Sequence, residues 1–75
     1  MTITGEQIKA ARSLLGWTQS ELAGRVGLSR STVGQFESGT RRLPSFDTSV
    51  MASIFDEAGI ESEDKGHGVR MRETK

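Results

Sequence analysis

TQSELAGRVGLSRSTVGQFESG, residues 18–39, decides the fold. Its apolar or small positions are Leu22, Ala23, Val26, Leu28, Val33 and Phe36, with Gly27 at an elbow between two short runs. Thr18-Gln19-Ser20-Glu21 is a capping box that opens the first run. Ser29 has the side chain of an N-cap for the second, which extends to about Glu37 before Ser38-Gly39 stops it. The spacing predicts two helices packed at a steep angle, with the outer face of the second left free.

Upstream, Thr4-Gly5-Glu6-Gln7 is a second capping box. Ile8, Ala11, Leu14 and Leu15 follow it at helical spacing, and Gly16 ends that helix. Trp17 then reads as a seal between the first two helices. Downstream, residues 40–44 form a loop with Arg41-Arg42 at its centre. Ser45 is expected to cap a fourth helix whose apolar members are Phe46, Val50, Met51, Ile54, Phe55 and Ala58, with Gly59 at its end. Asp47 falls in the first turn, where the helix dipole favours an anion. Residues 60–75 change character. Val69 and Met71 alternate with Arg70 and Arg72 after the turn-prone Gly66-His67-Gly68, a strand pattern that residues 60–63 could pair with. The expected class is all-α with a short β-like tail: residues 1–59 as the helical domain and 60–75 as the tail. Residues 69–72 fit two readings, a dimerising edge strand built on Val69 and Met71 or a disordered basic tail.

Composition narrows the function. The 75 residues contain no Cys, so disulfides and thiolate metal sites are excluded. His67, alone between glycines, reads as a solvated turn residue, and no metal or cofactor is expected. No nucleophile is arranged with a base, so the chain is not expected to be an enzyme. No apolar run approaches the ~20 residues of a membrane span, and the first residues lack a signal pattern, so a cytoplasmic protein is expected. Net charge is zero, yet residues 1–45 carry six cations against three anions and residues 46–75 carry four against seven. Such asymmetry can orient a protein on a polyanion.

Two helices at a steep angle around a short turn make a helix-turn-helix, whose second helix ordinarily enters the major groove of DNA. In residues 30–37 Val33 and Phe36 point inward, joined at the turn by Leu28. The opposite face carries Ser31, Gly34 and Gln35, flanked by Arg30 and Thr32. Gly34 costs about 1 kcal/mol in a helix relative to Ala, and on the outward face it would let another surface approach closely. Arg30 matches the O6 and N7 acceptors of guanine, and Gln35 can pair with adenine N6 and N7. Backbone amides at the starts of both helices attract phosphate oxygens, and Arg41 and Arg42 follow the second.

LLGWTQSELAGRVGLSRSTVGQFESGTRRLPS resembles the phage-repressor (Cro/lambda-repressor-like, XRE) helix-turn-helix family, in its T-Q-x-x-L-A-x-x-x-G-[LV]-S run and its E-x-G close. The resemblance covers about residues 4–59. It implies a lambda-repressor-like domain of four or five helices and a DNA-binding transcriptional regulator, in most cases a repressor, dimeric on a partly palindromic operator of double-stranded DNA. Carried over, Arg30, Ser31 and Gln35 are the base-reading positions. Gln19 anchors a phosphate, with Thr18, Ser29, Thr32, Ser38, Thr40, Arg41 and Arg42 as the other backbone-contacting positions. Arg12 and Glu37 resemble a structural ion pair between the first and third helices. The tail resembles that of small regulators closing with a G-V-R-[LM]-R strand. A reading of another class is an antitoxin-type interaction module, whose helical domain autoregulates while the tail holds a toxin or other protein partner.

Overall fold

The computed structural model describes residues 3–62 and 68–72. Capping residues set where its helices begin. α1 spans Gly5–Leu15, α2 Gln19–Val26, α3 Arg30–Glu37 and α4 Ser45–Glu57, followed by strands β1 at Ile60–Ser62 and β2 at Val69–Met71. Both capping boxes form. The Gln7 amide donates to Thr4 Oγ1 at 3.2 Å while Gln7 Oε1 accepts from the Thr4 amide at 3.0 Å. The Thr18–Glu21 pair does the same at 3.0 Å in each direction. Those bonds, the backbone N–H foremost, hold the exposed Glu21 carboxyl below the usual glutamate range. Ser29 caps α3 by accepting from the Thr32 amide.

One expectation about α4 is corrected, and one of its apolar members lies outside the core. Pro44, not Ser45, occupies the N-cap, and no side chain caps this helix; Ser45 is its first helical residue. Proline fixes its own φ near the value a helix entrance tolerates, so the chain turns in without a hydroxyl. Phe46 does not join the core: it is 77% exposed. On α4 the buried positions are Met51 and Phe55. Phe46 lies five residues before Met51, half a turn out of phase with that face.

The core gathers Ile3, Ile8, Ala11, Leu22, Ala23, Val33, Met51, Phe55 and Ile60. Phe36, Val26 and Leu28 pack against it partly buried. At the elbow Gly27 has φ 77°, a left-handed conformation that a side chain would resist, and its amide closes α2 by donating to the Ala23 carbonyl. Trp17 stacks on Phe55 with ring centroids 5.8 Å apart, and the Arg25 guanidinium covers the indole at 4.1 Å. The indole therefore packs between α4 and the last turn of α2 rather than sealing α1 to α2, and its tie to α1 is the main-chain carbonyl, which accepts from Arg12 Nη1.

β1 and β2 pair antiparallel, with Ile60 opposite Met71, Glu61 opposite Arg70 and Ser62 opposite Val69. Ile60 is buried and Val69 packs on the core, so the strand pair is fastened to the helices. Arg70 Nε meets Glu61 Oε1 at 3.1 Å, and Arg72 Nη2 meets Asp56 Oδ1 at 2.7 Å. Both are surface pairs, each worth at most about 1 kcal/mol. Glu63, Gly66 and His67, read as strand end and turn, lie outside the described residues.

Candidate nucleic-acid interface

α3 is held in place by a chain of polar contacts. Arg12 on α1 grips Glu37 at the end of α3 with Nε to Oε2 at 2.8 Å and Nη2 to Oε1 at 3.0 Å. Its remaining Nη1 donates to the Trp17 carbonyl at 2.8 Å. The Glu37 side chain is only 3% exposed and that of Arg12 16%. Hydrogen bonding to Glu37 holds the guanidinium above its ordinary pKa, against the opposing effect of burial. The pair thus fixes both α3 and the turn entering α2.

Gln19 extends the chain outward. Its Nε2 donates to Glu37 Oε1 at 3.2 Å, and its Oε1 accepts from Arg30 Nη1 at 3.4 Å. Glu37 only accepts and Arg30 only donates, so the amide has a single orientation compatible with both neighbours. Arg30, the first residue of α3, is thereby tied through Gln19 to the buried Arg12–Glu37 pair.

Gly34 is placed differently from the sequence reading. A Cβ built on it would lie 3.4 Å from Gln19 Nε2, so this residue faces α2 and not an open outer surface. At 100° per residue Gly34 falls on the same flank as Arg30, and Gln19 occupies that flank. The outward face is left to Ser31 and Gln35, both exposed, with Arg30 beside them.

The expected backbone-contacting residues divide by how their donors are used. Thr18 and Ser29 accept as caps, and Ser29 and Thr32 share one hydroxyl contact at 2.9 Å. Thr18 therefore keeps its hydroxyl hydrogen for an outside acceptor, and Ser29 and Thr32 keep one between them. The Thr18 amide is taken by Glu21, which leaves the Gln19 and Ser20 amides at the start of α2. After α3, the Ser38 hydroxyl, the Thr40 hydroxyl and the Thr40 amide all converge on the Gln35 carbonyl at 3.0, 3.1 and 2.9 Å. Arg41 Nη1 donates to Gln35 Oε1 at 3.3 Å.

Electrostatics follow the same geography. No described carboxylate pairs with Arg30, Arg41 or Arg42, whereas Arg70 and Arg72 at the tail are both paired with acids. Uncompensated positive charge is gathered around α3 and the loop after it. Amide donors, hydroxyls and guanidinium groups on one side suit a polyanion with readable edges.

Sequence reading missed three features here: the Gln19 bond to Glu37, the Arg41 bond to Gln35, and the tight seating of Gly5. A Cβ on Gly5 would run into the Phe36 carbonyl oxygen and come 3.1 Å from Glu37 Cα. A glycine inside a capping box carries no signal of that approach, which joins segments 31 residues apart.

Residues 8–53, more than half of the chain, match the family described as Helix-turn-helix. No curated protein sequence matches. Among solved structures, a chain of the SinR protein/SinI protein complex superposes with a TM-score of 0.62 at 27% identity. The match covers 72% of this chain and 53% of that one, so the present chain corresponds to about half of it. No described helix is long and apolar enough to cross a membrane. Fold and matches agree: the chain belongs to the Cro/lambda-repressor-like, XRE-type helix-turn-helix family of DNA-binding transcriptional regulators, a class that is typically non-enzymatic.

Proposed function

We propose that this regulator is a repressor that binds a partly palindromic operator as a homodimer, each copy laying α3 in one major-groove half-site. Arg30, Ser31 and Gln35 read base edges. Gln19, Thr18, Ser29, Thr32, Ser38, Thr40, Arg41 and Arg42 hold the phosphate backbone. The observation that carries this reading is the exposed polar face of α3, ringed by cations that have no carboxylate partner among the described residues and braced through Gln19 to a buried ion pair. Repression follows from occupying promoter DNA. Two half-sites about 34 Å apart, one helical turn, would suit two copies.

The test is selection of bound duplexes from a random library at physiological salt. One short palindromic motif is expected. Arg30→Ala should lower affinity for it about tenfold or more and relax one base position, as loss of a bidentate base contact does. Absence of any preferred sequence, or an unchanged profile in Arg30→Ala, would overturn the reading.

For the dimer, residues 1–59 serve as the DNA-binding unit and the tail as the contact between copies. β2 has one edge paired with β1 and the other unpaired by any described strand. Met71 is 43% exposed, while Val69 is largely spent on its own core, so Met71 and the strand edge form the contact surface. Met71→Glu should leave thermal stability nearly unchanged and shift sedimentation from dimer to monomer. A variant that stays dimeric would place the contact elsewhere.

A second reading adds a protein partner held by the tail, as in an antitoxin. Its support is that SinR, to which this chain is similar, was solved as a complex with the SinI protein. Copurification from the native host tests it, and the absence of a stoichiometric partner counts against it.

A further inference from the structure

We infer that Arg41 sets the base preference of Gln35, turning a side chain suited to adenine into half of a donor pair suited to guanine. This rests on the reading that Gln35 faces base edges.

An unengaged glutamine amide offers one donor and one acceptor, the complement of adenine N7 and N6. In this structure one lone pair of the acceptor is engaged: Arg41 Nη1 donates to Gln35 Oε1 at 3.3 Å. The orientation does not depend on how the amide is assigned. Guanidinium has no acceptor, so the atom facing it must be the carbonyl oxygen. An incoming base therefore meets the Gln35 Nε2 hydrogens and the other N–H groups of Arg41 around the one lone pair left on Oε1, an edge richer in donors than a free amide. Two adjacent donors match guanine, whose major-groove edge presents O6 and N7, both acceptors, and they mismatch the N6 amino group of adenine.

The loop after α3 is folded onto Gln35. The Gln35 carbonyl receives the Thr40 amide at 2.9 Å, the Ser38 hydroxyl at 3.0 Å and the Thr40 hydroxyl at 3.1 Å. Ser38 Oγ and Thr40 Oγ1 also lie 3.0 Å apart. Two hydroxyl hydrogens serve these three contacts, so the cluster can rearrange its donors without releasing the carbonyl. The backbone of Thr40 is thus fixed beside Gln35, and the next residue projects its guanidinium at the amide. Ser38 and Thr40 act as the brace for Arg41, and Arg41 acts on specificity through Gln35.

The test uses duplex selection with the full chain, Arg41→Met and Gln35→Ala; methionine keeps an aliphatic stem and removes every donor. Gln35→Ala identifies the base position that Gln35 reads, as the one whose preference disappears. At that position the unaltered protein should select guanine, and Arg41→Met should move the ratio of guanine to adenine about tenfold toward adenine, with the other positions unchanged. Selection of adenine by the unaltered protein overturns the inference. So does a uniform loss of affinity in Arg41→Met with the profile intact and a shallower salt dependence, which would make Arg41 a phosphate contact only. If Gln35→Ala alters no position, the base-reading role of Gln35 falls and the inference falls with it. If Gln35→Ala alters one position and Arg41→Met does not, the inference alone falls. Both residues are exposed, so thermal melting of each variant should match the parent.

Discussion

Arg12→Met is expected to destabilise the domain by about 4–5 kcal/mol, the upper end of the cost of breaking a buried ion pair. The variant strands the Glu37 carboxylate, 3% exposed, with Gln19 Nε2 as its remaining hydrogen-bond donor. Total stability for a single domain of this size is on the order of 5 kcal/mol, so the loss approaches global unfolding. The reverse lesion should be milder. Glu37→Ala leaves Arg12 16% exposed and still bonded to the Trp17 carbonyl, so about 3 kcal/mol is expected. Urea denaturation of both variants measures the difference. Arg12→Met combined with Glu37→Leu supplies the control, because replacing both charges by apolar groups of similar volume can be nearly neutral. The double variant should recover a large part of the loss. If it is no more stable than Arg12→Met alone, the cost lay in packing and not in an unpaired charge.

Gly5→Ala is expected to cost about 2–3 kcal/mol, although glycine to alanine in a helix is ordinarily favourable by up to about 1 kcal/mol. The added methyl meets the Phe36 carbonyl group and Glu37 Cα, all main-chain atoms that cannot rotate aside. α1 would have to back away from the end of α3, where Arg12 reaches Glu37. Gly24→Ala is the matched comparison. Gly24 lies inside α2, exposed, with nothing within 4 Å of a built Cβ, and the same change there should add about 0.5–1 kcal/mol. Thermal unfolding of the two single variants should therefore move in opposite directions. Equal shifts would mean that α1 and α3 are not held as closely as described.

Local signals carried most of the fold. Thr4, Thr18 and Ser29 each cap through bonds within three residues, so the pattern of side chains at that spacing was sufficient to place α1, α2 and α3. The α4 entrance escaped because a proline there does by geometry what a hydroxyl does by hydrogen bonding, and a serine one residue later looks equally suitable. Phe46 escaped because six apolar side chains on one helix exceed what one face can bury. Periodicity alone did not rank them.

The candidate site was legible in its outward members and opaque in its supports. Ser31 and Gln35 sit opposite Val33 by arithmetic of the helix, and α3 presents them as that arithmetic requires. Gly34 was misplaced because its flank meets α2, and where a neighbouring helix crosses is a tertiary fact. The bonds from Gln19 to Glu37 and from Arg41 to Gln35 join polar side chains 18 and 6 residues apart. Polar side chains on a surface have many available partners, and only the folded backbone selects among them.

Trp17 is the only tryptophan in the chain, and its position makes it a built-in optical probe. Its ring is stacked on Phe55 of α4 and covered by Arg25 of α2, and its carbonyl is held by Arg12 of α1. Emission from this one indole therefore registers the undocking of three helices in a single signal. Phe55, Arg25 and Arg12, which hold it, are none of the base-reading positions Arg30, Ser31 and Gln35, so base-reading variants can be compared for folding without an added label. A change in fluorescence on adding operator would mean that the groove face and the α1–α2–α4 junction move together.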